Sequence, residues 1–213
     1  MSANFPVEPS VVVPFLLAVS LVELTPGPNM AYLAALSASE GRLAGFKAVL
    51  GVTAGLAVYM LASVLGVAEL IAAAPLAYNV LRWAGVLFLL YLAWDAWRGA
   101  GEASPGHADI QPDHAPFWRG FIANVLNPKA AVFYITLLPM FVASDHAAFW
   151  VQALVLGALH LVVSVIVHGA IVLGAAHAAA LIEGESRRTA VRRAMALAIA
   201  VIAVWLAWST RLG

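Results

Sequence analysis

Two side chains of opposite charge lie deep in apolar sequence, each beside a proline. Glu23 leads into Leu24-Thr25-Pro26-Gly27-Pro28-Asn29 within the apolar run 11–36, and Lys129 closes Asn127-Pro128-Lys129 in another run, with Pro128 standing 100 positions after Pro28. Proline has no backbone N–H and collides with the preceding helical turn, so each cluster breaks a helix and frees main-chain groups. Those groups cost several kcal/mol in hydrocarbon unless something polar meets them, and membrane proteins keep such breaks mainly where they line a cavity or hold a ligand.

The chemistry offered at these breaks is recognition of a small charged molecule. A helix restarting after Pro26 or Pro28 points the amides of Asn29, Met30 and Ala31 toward the break, with the positive end of the helix dipole behind them, which suits a carboxylate. Gly27 permits close approach or an unusual dihedral, and Thr25 and Asn29 can bond freed backbone groups. Glu23 lies 12 residues past Val11, about 18 Å along a helix, and Lys129 lies ten past Arg119, about 15 Å, so both fall near mid-depth. Charges at that depth face a bundle interior, a wet cavity or each other. Two readings follow: a structural Glu23–Lys129 ion pair joining two segments, or a pocket in which Glu23 takes an ammonium group and carries a proton while Lys129 neutralises a carboxylate. The readings are compatible if a solute ammonium displaces Lys129 from Glu23.

A third set, His160, Ser164 and His168, steps by four residues along one helix face. It is either a packed polar stripe or a proton relay, since histidine titrates near neutrality. An activated nucleophile needs a base and an orienting group arranged in three dimensions, so this stripe is poor support for a membrane hydrolase, and no catalytic residue is assigned.

The elements that must position these groups are membrane helices. Of 213 residues, 63% are hydrophobic and only 10% are charged, against about 25% in soluble domains. The runs expected to cross are 11–37, 44–66, 76–97, 120–142, 147–175 and 190–210, each near or above the roughly 20 residues required. The stretch 67–75 is too short to cross and is placed at the interface. Arg42, Lys47, Arg98, Arg119, Arg187, Arg188, Arg192 and Arg193 gather at alternate connections, with Arg82 and Arg211 against the trend, so the positive-inside rule puts both termini outside. Trp94, Trp97 and Trp118 fall at the inner boundary and Trp83, Trp150, Trp205 and Trp208 near the outer one, as expected of headgroup anchors.

The polar stretch 99–116 divides the chain into two halves of three spans. One transporter domain is expected over 1–213, with repeat one at about 11–97, a cytosolic loop at about 98–119 and repeat two at about 120–211. An odd number of spans per half inverts the second half, and each half opens with its broken span, the arrangement that puts a transporter's site where two discontinuous helices meet. The loop residues His107, Asp109, Asp113 and His114 are read as solvated rather than as metal ligands. Ala44, Ala48, Gly51 and Gly55 allow close helix approach, either at an internal seam or in a homodimer.

Absences narrow the class. The chain has no cysteine, hence no disulfide, thiol chemistry or cysteine-ligated metal. It has no Walker loop and no basic aromatic surface for nucleic acid. No cofactor is expected; the expected partners are a small amino-acid-like solute, lipid and protons as the coupling ion.

In combination these residues resemble the LysE/RhtB family of amino-acid exporters. The resemblance rests on Leu24-Thr25-Pro26-Gly27-Pro28-Asn29-Met30, Gly41-Arg42, Pro75-Leu76, Leu81-Arg82-Trp83-Ala84-Gly85, Tyr91-Leu92-Ala93-Trp94, Gly120-Phe121, Asn124, Leu126-Asn127-Pro128-Lys129-Ala130 and Leu138-Pro139 with Phe141. It implies a six-helix permease of the bacterial inner membrane that exports amino acids by proton exchange, with Pro26, Gly27, Pro28, Asn29, Asn127, Pro128 and Lys129 as motif residues. The last third departs from the pattern in lacking span-six glycines and in carrying the two histidines. The competing readings are a non-transporting assembly or regulatory membrane subunit and an exporter of a different small solute. A metal cation fits poorly, because Lys129 repels it.

Overall fold

The computed structural model describes residues 5–65, 75–99, 114–182 and 184–209. The chain forms α1 (Pro9–Leu24), α2 (Pro28–Glu40), α3 (Arg42–Val64), α4 (Pro75–Gly99), α5 (Ala115–Val125), α6 (Pro128–Val132), α7 (Phe149–Ala180) and α8 (Glu185–Ser209). Beyond α6 the chain continues through a π-helical turn, Phe133–Leu137, and a 3-10 turn, Leu138–Phe141. No strand occurs among the described residues. The fold is an all-α, polytopic membrane protein, as composition requires.

Both expected interruptions are present. The axes of α1 and α2 meet at 58°, and those of α5 and the segment from Pro128 to Phe141 at 51°. Pro28 and Pro128 each occupy the first turn of the restarted helix, where a missing N–H costs nothing. The continuous helices α3 and α7 are long and apolar enough to cross a bilayer, as is each bent pair taken as one span. Helices α4 and α8, with 25 residues each, extend about 37 Å.

Helix ends depart from the expected limits. Helix α7 reaches Ala180, beyond the expected 175, and α8 begins at Glu185, before 190. A helix need not stop at the hydrocarbon edge, and at the start of α8 the exposed Arg187 and Arg193 can reach the headgroups while the backbone bonds continue. The interfacial stretch 67–75 apart from Pro75, the loop residues His107, Asp109 and Asp113, the side chains of Arg82, Arg188 and Arg192, and residues 210–211 lie outside the described residues.

The faces of α1 explain how Glu23 is oriented. Val13, Leu17, Leu21 and Leu24 are exposed toward lipid, whereas Phe15, Val19 and Glu23 form the buried stripe at steps of four. In α7 the buried stripe is Gln152, Leu156, His160, Ser164, His168 and Val172, again at steps of four. All seven tryptophans are exposed on the outside of the bundle, which favours anchoring over core packing.

The seam of small residues is internal. A Cβ on Gly51 would strike the Phe117 carbonyl, one on Gly120 the Ala48 carbonyl, and one on Gly85 the Leu126 carbonyl. Backbone contact this close lets α3 lie along α5 without a polar glue. Gly120→Val is therefore expected to lower the thermal midpoint of the detergent-solubilised protein by several degrees, roughly 1–3 kcal/mol of overpacking. Gly174→Ala, whose added Cβ would meet nothing within 4 Å among the described residues, should leave it within error; equal midpoints for both variants would contradict the seam.

Candidate functional site

At the first break the chain leaves α1 in an extended conformation at Thr25, which frees carbonyls of the last turn. The Thr25 hydroxyl donates back to the Leu21 carbonyl at 2.7 Å, so this side chain serves its own helix and, like Pro26, is exposed rather than turned into the site. Gly27 is extended at φ −157°, a conformation open to any residue, so the expected unusual dihedral is not its role. A Cβ there would meet Lys129 Nζ at 3.7 Å, and it is this proximity that makes Gly27 part of the site. Gly27 brings no side-chain oxygen to the first amides of α2.

The second break differs. Asn127 caps its own helix, its Oδ1 accepting from the Lys129 N–H at 3.0 Å. Lys129 reaches across to the first break, where its Nζ donates to the Thr25 carbonyl at 2.9 Å. The Tyr59 hydroxyl of α3 donates to the Val125 carbonyl freed at the end of α5, at 2.6 Å. Asn29, next to Pro28, donates from Nδ2 to Oδ1 of Asn124 on α5 at 2.7 Å.

The acid of the site is paired with histidine. Glu23 Oε1 lies 2.8 Å from His160 Nε2, and Oε2 lies 3.6 Å from His168 Nε2. Ser164 Oγ lies 2.9 Å from His168 Nδ1, which extends the chain of polar groups along α7. The direct Glu23–Lys129 ion pair entertained from sequence is thus replaced: among the described residues the carboxylate takes both histidines, while the ammonium takes a main-chain carbonyl. The reason is orientation, since the buried stripe of α1 faces that of α7 and Lys129 is held over the break itself. The π-helical turn after α6 places Phe133 and Tyr134 against His160, with ring centroids 4.1 and 5.4 Å away. A π turn rotates side chains out of α-helical register, and such turns recur at functional sites.

These groups surround one cavity. Glu23, Gly27, Pro28, Asn29, Asn127, Lys129, His160 and His168 line it; Thr25, Pro26 and Pro128 do not. Asn124 and Phe133 also line it and were not singled out by charge or break, although Asn124 stands three residues before the second break. About 20 Å³ of it is open to the centre of a water molecule, room for a water and far too little for an amino acid. A solute can enter only if the walls part.

The model of the LysE type translocator family matches residues 20–210. The chain belongs to that family. It is 37% identical over 139 residues to an uncharacterized membrane protein of Pseudomonas aeruginosa, covering 62% of this chain and 64% of that one. It is 29% identical over 194 residues to the homoserine/homoserine lactone efflux protein of Salmonella typhimurium, with 91% of this chain and 94% of the relative covered. The protein of the same name from Salmonella typhi matches to the same extent. No solved structure matches the chain. Membership in this translocator family makes the chain a multi-pass membrane transporter, and the cavity between its breaks is the candidate site.

A chain without native cysteine allows that placement to be checked directly. Once the walls part, Gly27→Cys is expected to react with a membrane-impermeant thiol reagent at least about tenfold faster than Leu17→Cys on the lipid face. Equal inertness of the two positions would remove the water-accessible cavity.

Proposed function

We propose that the protein exports amino acids or closely related zwitterions across the bacterial inner membrane by alternating access, in exchange for protons. The observation that carries this reading is the convergence of an acid, two histidines and a lysine on one cavity between two interrupted helices. The names of the two Salmonella relatives support an amino-acid-like cargo and the outward direction. In this reading the chain crosses six times, α4 and α8 joining the four spans already described, and the distribution of arginine and lysine supports both termini lying outside. The two halves, each opened by its bent pair, are proposed as inverted repeats.

In the proposed cycle the cavity opens toward the cytosol and a zwitterion enters. Its ammonium group replaces a histidine on Glu23, and its carboxylate takes the first amides of α2 and draws Lys129 Nζ off the Thr25 carbonyl. Releasing that carbonyl unlocks the contact between the two breaks, so that one half can move against the other. On the outer side a proton arriving by way of His160, the histidine nearer that side on α7, neutralises Glu23 and ejects the ammonium, and His168, two helical turns closer to the cytosol, is its way out. The proton then leaves to the cytosol, which restores the carboxylate and its histidine pair. Thr25, Pro26 and Pro128 shape the breaks rather than touch the solute.

Counterflow of radiolabelled amino acids in proteoliposomes tests this reading. Saturable exchange is expected, and a proton gradient should drive it uphill. Glu23→Gln should cut exchange by at least about 30-fold, the cost of one charge-assisted hydrogen bond at roughly 2 kcal/mol. No saturable flux of any amino acid would favour a non-transporting subunit.

A further inference from the structure

The amide pair Asn29–Asn124 is more than a brace between the breaks. Asn29 is 6% exposed and Asn124 1%, and both line the cavity that holds Glu23 and Lys129. One hydrogen bond joins them, yet Asn29 Oδ1 and Asn124 Nδ2 are buried with no hydrogen-bond partner among the described residues. Turning both amides over exchanges the atoms but leaves the same result, one spare acceptor and one spare donor. A buried amide atom left unpaired costs about 1–3 kcal/mol, so a retained pair of this kind is poised for a ligand that completes it. Gly55 secures the geometry, because any Cβ there would press on Asn124 Cβ and Nδ2.

We infer that Asn29 and Asn124 form a side-chain subsite that reads a hydroxyl group on the transported zwitterion. A hydroxyl donates one hydrogen bond and accepts another, the complement of the two spare amide atoms. Ammonium and carboxylate groups are already matched elsewhere in the cavity, by Glu23 and by Lys129 with the α2 amides. The pair is therefore left to the part of the solute that varies between amino acids. A methyl group in place of the hydroxyl would leave both amide atoms unsatisfied, and sites built this way reject the analogue strongly. This inference rests on the amino-acid export reading and adds its specificity.

The test is competition in proteoliposomes, with L-homoserine and L-norvaline compared as inhibitors of exchange of one labelled amino acid. The two solutes differ by a hydroxyl exchanged for a methyl group. Wild type should be inhibited by homoserine at concentrations at least about tenfold lower than by norvaline. In Asn29→Leu/Asn124→Leu that ratio should fall to about one, and in the milder Asn124→Thr it should fall at least threefold. A wild-type ratio below three overturns the inference and leaves the export reading intact, whereas absence of exchange for every amino acid overturns the export reading with it. A brace without a recognition role would slow both solutes alike and keep the ratio, so a variant with lowered flux and an unchanged ratio also overturns the inference. If the double variant does not fold, the wild-type ratio and Asn124→Thr decide.

Discussion

Main-chain groups released inside hydrocarbon must find polar partners, and here each break finds them on another part of the chain. Lys129, from the second break, meets the Thr25 carbonyl of the first, and Asn29, from the first, meets Asn124 just before the second. Tyr59 closes the account at Val125. Neither bent pair is complete alone, because removing one exposes unpaired groups on the other at several kcal/mol each. The two breaks therefore have to meet, and their meeting place is unavoidably polar. A polar cavity between the breaks follows from that requirement before any solute is considered.

The surroundings divide into parts that hold and parts that can move. Glycine contacts between α3 and α5 bring backbones together where no side chain separates them, which makes a stiff seam behind the cavity. In front of it lie single hydrogen bonds, a buried acid between two histidines, and a π-helical turn carrying aromatic rings against His160. A solute with charges of both signs can replace these contacts one for one, so exchange need not leave a naked charge in the low-dielectric interior. The small cavity fits this picture, since the same groups that would bind a solute are drawn onto each other.

Much of this was legible in the sequence because hydrocarbon penalises so few patterns. The apolar runs, the two proline breaks and the intramembrane charges announce a membrane bundle with paired interruptions, and the four-residue steps of His160, Ser164 and His168 announce one buried stripe. What could not be read was which charge meets which. Glu23 and Lys129 invite pairing on paper, but the rotation of α1 turns Glu23 toward α7, and only the packed helices determine that rotation. Asn124 was visible as a residue and not as a site, since its position against Asn29 depends on how α5 packs on α2 and on α3, the latter closely at Gly55. The small-residue stripe from Ala44 to Gly55 left open an internal seam or a subunit contact, and the backbone approach of Phe117 assigns its glycines to the interior.

The central claim, that one zwitterion lies between the two breaks with its ammonium at Glu23 and its carboxylate at Lys129, is tested most directly by binding of ligands that lack one charge. Affinities of wild type, Glu23→Gln and Lys129→Met would be measured for an amino acid, its methyl ester and its deaminated acid. Wild type should lose at least about tenfold for either missing charge. Glu23→Gln should become indifferent to loss of the ammonium and Lys129→Met to loss of the carboxylate. If each variant weakens all three ligands by the same factor, the two residues hold the fold and not the solute.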